Sequence, residues 1–240
     1  MSDAHLGHEH VCRAYDEEFR RLIDEIVRMG QLAIEQLRGA VQALATRDSA
    51  LAEKIKAADA AIDTLDQDVG HDALRMLALR QPIARDLREI LAALRISAAI
   101  ERIGDYAANV AKRSIVLSAQ PAVAPAADLP QLAELAIELL LDVLAAYRER
   151  DADRAKRVWA RDAELDERYT ALFQQLLDCM MRHPQQITAC THLLFVAKNI
   201  ERIGDHATNI AENVWFAVHG WPLAQTRLKR DATSEVVAAE

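Results

Sequence analysis

The sequence contains a copy of itself. Ile100-Glu101-Arg102-Ile103-Gly104-Asp105 returns as Ile200-Glu201-Arg202-Ile203-Gly204-Asp205, and nine of the twelve positions 100–111 and 200–211 are identical. A second match lies upstream in the same order, Asp59-x-x-Ile62-Asp63 against Asp162-x-x-Leu165-Asp166. Two matches in one order require that the chain fold as two copies of one unit.

The unit is helical. Phe19, Leu22, Ile23, Ile26, Val27, Ile34, Leu37, Val41 and Leu44 recur at steps of three and four, the spacing of one helix face. This predicts a first helix over about 10–47. Asp48 and Ser49 can cap a second, running to about Leu79, because their oxygens accept the free N–H groups of a helix start. Pro82 separates it from a third over about 83–117, since proline lacks an N–H and clashes with the preceding turn. A Pro-Ala linker at 120–125 follows, and the pattern restarts with helices over about 128–150, 151–182 and 185–219. The second half ends at Gly220-Trp221-Pro222. The expected fold is all-α, two tandem three-helix bundles related by pseudo-twofold symmetry, with repeats over 8–119 and 126–220. Residues 223–240 are expected to form a frayed or disordered tail.

The net charge of −8 makes phosphate backbones and anionic membrane surfaces poor partners. It suits cations or basic surfaces instead. The first ten residues hold no apolar core of a signal peptide. The most apolar mid-chain stretch carries Glu134, Glu138 and Asp142, which excludes a bilayer span. Cys12, Cys179 and Cys190 have no CxxC spacing and read as reduced thiols. A cytoplasmic protein without direct membrane insertion is expected.

The repeated block concentrates the chemistry. Ile100, Ile103, Ala107 and Val110 form a bundle seam. Glu101, Asp105 and Asn109 are spaced by four, so they stack on another face, and Glu201, Asp205 and Asn209 repeat them. These rows are expected to point outward. Like charges at this spacing repel. Gly104 and Gly204 stand inside each row, and a mid-helix glycine costs about 1 kcal/mol relative to alanine. A closely approaching helix, or a ligand on the carboxylate face, would offset that twice-made cost. Asp59 with Asp63, and Asp162 with Asp166, form acidic rows in the second helices that can face those of the third. Four carboxylates per half suit a hard cation or small cluster, Mg²⁺, Mn²⁺, Ca²⁺ or iron, better than zinc. An acidic face answered by Arg102, Arg202 and other basic residues is the alternative, and spacing does not choose between them. A di-metal enzyme on a helix bundle uses Glu-x-x-His pairs aimed into the core. No glutamate here has a histidine three residues on.

The block at 100–105 and 200–205, each copy followed by Ala-x-Asn, resembles the PhoU family of phosphate-signalling regulators. So do Met29-Gly30 and Arg80-Gln81-Pro82-x-Ala84-x-Asp86-Leu87-Arg88. The resemblance covers about residues 8–220. It implies two three-helix bundles and no enzymatic activity. It implies divalent or ferric metal ions, multinuclear in that family, held by Glu101/Asp105 and Glu201/Asp205. Asp59, Asp63, Asp162 and Asp166 fall on the second-helix acidic rows, and Asn109 and Asn209 are further candidate ligands. The implied role is negative regulation of phosphate uptake and phosphate-starvation signalling. The implied partners are the ATPase subunit of the phosphate ABC transporter and a sensor histidine kinase. A surface row can also be completed by a second subunit, which is compatible with a homodimer.

Overall fold

The helices start and stop where local side-chain chemistry dictates. The computed structural model describes the backbone of residues 3–223 and 229–235 and the side chains of 15–223 and 229–234. His5, His8, His10 and Cys12 lie outside the described side chains. Among the described residues there are seven α-helices and no strands: α1 (Asp3–Thr46), α2 (Ser49–Ala57), α3 (Ala60–Arg80), α4 (Arg85–Ser118), α5 (Leu129–Glu149), α6 (Ala152–Arg182) and α7 (Ile187–His219). Asp48 caps α2 by accepting from Leu51 N at 2.9 Å, and Asp151 caps α6 by accepting from Arg154 N at 2.8 Å. Gln81 ends α3 in the left-handed conformation just ahead of Pro82, where proline forbids continuation.

The expected second helix is two helices in the structure. The chain breaks at Ala58–Asp59, so α2 and α3 together occupy the place that unbroken α6 takes in the second repeat. No proline or glycine announces this break. The two repeats are therefore α1–α4 and α5–α7, each a three-layered helical bundle.

The seam residues are the core. Ile100, Ile103, Ala107 and Val110 are buried, as are Ile200, Ile203, Ala207 and Ile210. Burying an isoleucine side chain contributes roughly 1.5–3 kcal/mol. The two repeats meet chiefly through α4 and α7. Tyr106 and His206, equivalent positions of the two copies, face each other with ring centroids 5.6 Å apart. Arg95 lies over Phe216 on one side of this crossing, and Arg113 lies over Phe195 on the other. The two helices thus run antiparallel about a pseudo-twofold axis. Gly30 permits a second inter-repeat approach, because a Cβ there would meet Leu144 of α5 at 2.6 Å. At one end Glu89 joins the repeats, accepting from Arg85 at 3.0 Å and from Arg150 at 2.9 Å.

Cys179 and Cys190 are free thiols. No helix among the described residues is long and apolar enough to cross a membrane.

Candidate functional site

α3 and α4 are antiparallel neighbours, so their acidic rows face each other with numbers running in opposite directions. Asp59 lies against Gly104 and feels the charge of Asp105; Glu101 feels that of Asp63; Asp66 accepts from Ser97 Oγ at 2.5 Å. The second repeat reproduces the arrangement, with Asp162 against Gly204. Both row glycines make room for the opposite helix. A Cβ on Gly104 would stand 2.9 Å from Ile62 Cδ1 and 3.2 Å from Asp59 Oδ1. A Cβ on Gly204 would overlap Leu165 Cδ2 and stand 2.8 Å from Asp162 Oδ1. The duplicated glycine is therefore accounted for by close helix approach, and what it admits includes a carboxylate.

The first row is half-exposed. Asp59 accepts from Gln36 Nε2 of α1 at 3.1 Å. Arg102 reaches Glu101 at 3.4 Å and Asp105 at 3.0 Å. Asp63 is exposed. Asn109 accepts from Lys112 at 3.4 Å. Burial, and then the nearby negative charge of Asp105, Asp66 and Asp63, raise the Glu101 carboxyl above its ordinary value, and Arg102 only partly opposes them. Burial also raises Asp59; the bond from Gln36 opposes it, and Asp63 and Asp105 add to it.

The second row does not point outward as the spacing suggested. Asp162, Asp166 and Glu201 are each 1% exposed, and Asp205 is partly covered. Two features meet these side chains beyond the facing helices. Lys198, one turn ahead of Glu201, reaches it at 2.9 Å and lies 5.0 Å over the Tyr169 ring. The chain's own C-terminal segment, where a disordered tail was expected, also lies on the row. Lys229 pairs with Asp205 at 3.1 Å, and Arg230 N donates to Asp166 Oδ2 at 2.9 Å. Burial raises the Glu201 carboxyl, with Lys198 opposing and Asp205 adding to the rise. Asn209 is exposed on α7. Arg202 lies over the Tyr106 ring at the α4–α7 crossing, whereas its counterpart Arg102 bridges its own row.

Among the described residues, no three Asp, Glu, His or Cys side chains gather closely enough to cage an ion as they stand. Every side-chain donor of these carboxylate rows is oxygen, the donor type that hard cations take; burial first, and neighbouring carboxylates after it, raise Glu101 and Asp59. Arg102 pairs with the first row, and Lys198 and Lys229 pair with the second. Gln36, Asp66, Ser97, Lys198 and Tyr169 are the contributors that the sequence reading missed. Asp66 was discoverable, since Asp59, Asp63 and Asp66 continue one helix face.

The raised carboxyls carry a pH signature. A carboxyl raised by folding stabilises the fold while protonated. That contribution is complete below its ordinary value, 4.5 for Glu101, and is lost as pH rises through the raised value. Glu101→Gln is therefore expected to melt like the unaltered metal-free chain near pH 4 and above it at pH 7. Tm measured across that range checks this, and a difference that is constant with pH would refute it.

The family model described as "PhoU domain" matches this chain twice, over residues 26–114 and 129–214. The chain is 52% identical over 227 residues to the phosphate-specific transport system accessory protein PhoU homolog of Xylella fastidiosa, covering 95% of this chain and 96% of that protein. It is 47% identical over 228 residues to the protein of the same name from Caulobacter vibrioides, covering 95% and 99%. The crystal structure of PhoU from Pseudomonas aeruginosa superposes with a TM-score of 0.83 at 32% identity, over 86% of this chain and all of that one. The phosphate transport system regulatory protein PhoU from Streptococcus pneumoniae gives 0.82 at 28% identity, over 88% and all of that chain.

Proposed function

This chain belongs to the PhoU family, and from that membership we propose that it is a cytoplasmic, non-enzymatic accessory protein that restrains phosphate uptake and phosphate-starvation signalling. It would act as a helical adaptor between the ATPase subunit of the phosphate ABC transporter and a sensor histidine kinase. Its acidic rows would bind divalent or ferric ions. The observation that carries the reading is the near full-length identity to relatives named as accessory proteins of the phosphate-specific transport system. The facing carboxylates of α3/α4 and α6/α7 support the metal component. Glu101, Asp105, Asp59 and Asp63 would hold the ion of the first repeat, and Glu201, Asp205, Asp162 and Asp166 that of the second. A bound cation would supply positive charge that draws the facing helices together.

Removing the gene from its source organism is expected to raise alkaline phosphatase in phosphate-rich medium. An unchanged level would exclude the regulatory role. A metal-free adaptor is the second reading, favoured by the two ion pairs of Arg102 across the first row. Elemental analysis of the purified protein, before and after addition of Mn²⁺, separates the two.

A further inference from the structure

The two acidic rows are copies in sequence and unequal in structure, and the inequality lies in what covers them. Residues 229–234 cross α6 and α7 with their charges matched to those beneath. Lys229 meets Asp205 at 3.1 Å. The Arg230 guanidinium pairs with Glu167, and its backbone N–H donates to Asp166 Oδ2 at 2.9 Å. Asp231 carries the opposite sign and meets the local cation, Lys198, at 3.1 Å. Ala232 N donates to Thr170 Oγ1 at 3.2 Å. The Thr233 hydroxyl and N–H both close on Asp231 Oδ1, at 2.6 and 3.0 Å, which fixes that carboxylate facing Lys198. Positive, positive, negative thus meets negative, negative, positive. The pattern also involves backbone groups, which an incidental charge contact does not require.

Nothing equivalent is built into the first repeat among the described residues. The position matching Lys198 is Ala98, and the cation on that row is Arg102, which belongs to the row's own helix.

We propose that residues 229–234 form a strap that competes with a cation for the second row. The two rows then fill at different cation concentrations, and filling the second releases a Lys-Arg-bearing segment from the protein surface. The reasoning rests on the metal-binding reading above. Lys229 and the Arg230 N–H hold two of the four carboxylates that an ion would need. An ion and an ammonium group cannot share one carboxylate without strong repulsion at such distances. Binding must displace the strap, so apparent affinity falls in proportion to the time the strap spends docked. Release would change the charge and shape of one face of α6–α7, which is the kind of change a partner protein can read.

The experiment uses the full-length chain carrying Glu101→Gln and Asp105→Asn, which leaves the second row as the site under study. Mn²⁺ binding is measured by calorimetry with and without Lys229→Ala and Arg230→Pro; the proline removes the N–H that Asp166 accepts. Binding about tenfold tighter in the strap variant is expected for a strap docked about nine-tenths of the time. In the unaltered chain, Mn²⁺ is expected to speed hydrogen exchange at the amides of Arg230 and Ala232. Equal affinities in the two chains would overturn the strap, and so would Mn²⁺ filling the second row with those amides still protected. If Mn²⁺ instead fails to bind the first row of the unaltered chain, the metal reading itself falls and the strap's role falls with it. Circular dichroism of each variant distinguishes these outcomes from loss of fold.

Discussion

Exchanging Glu101 for Gln together with Asp105 for Asn is expected to remove cation binding from the first row while leaving the fold intact. The two side chains lie one turn apart on α4 and face Asp59 and Asp63 of α3. Neutral amides keep the shape and the hydrogen-bonding capacity but remove the charge that a hard cation requires. The loss should exceed the roughly 10–100-fold that removing a group merely supporting a ligand costs. Arg102→Gln is expected to act in the opposite direction. Its guanidinium holds Asp105 at 3.0 Å, yet its side chain is 59% exposed. Such an exposed pair is worth up to ~1 kcal/mol, so Mn²⁺ should bind up to about fivefold tighter. Calorimetric titration of the three chains checks both directions. Equal binding in all three would reduce the row to a salt-bridge network. These variants also bear on why the row exists: its carboxylates repel one another when no cation is present, and a purely structural surface would gain by losing them.

Gly204→Val is expected to be the most damaging single exchange among the row positions. Its Cβ would stand 2.8 Å from Asp162 Oδ1 and overlap Leu165 Cδ2, and Asp162 is 1% exposed. Overpacking of this kind costs about 1–3 kcal/mol, and displacing a buried carboxylate adds to it. For a chain of this length each kcal/mol corresponds to roughly 2–4 °C, so a drop in Tm of about 4–10 °C is expected. Gly104→Val should cost less. Its Cβ would meet Ile62 at 2.9 Å and Asp59 at 3.2 Å, and Asp59 is only half-buried and can turn outward. Scanning calorimetry ranks the pair; a Gly104 variant melting at or below the Gly204 variant would contradict this account of the close approach.

The local features of this molecule were readable along the chain because short-range geometry creates them. Helix periodicity identified the buried faces of α1, α4 and α7. Asp48 and Asp151 cap helices through bonds spanning three residues. Gly104 and Gly204 signalled either a close approach or a ligand on the carboxylate face, because a mid-helix glycine is costly without compensation, and the neighbours Ile62 and Leu165 show the close approach. The break at Ala58–Asp59 was not readable, since no proline or glycine marks it. It matters because Asp59 starts α3 and turns its carboxylate to Gln36 of α1.

What the sequence determined by itself is an all-helical chain made of two copies, each with a row of carboxylates at one-turn spacing. Such periodicity is a property of the helix and needs no neighbour. Only the tertiary structure decided that the two rows differ. Gln36 comes to Asp59 from 23 residues away, Ser97 to Asp66 from 31, and Arg230 to Asp166 from 64. Arg102 turns onto its own row, while Arg202 turns to Tyr106 across the repeat interface. Identical residues acquired different surroundings because burial and charge pairing are set by elements distant in the chain, which no local spacing encodes.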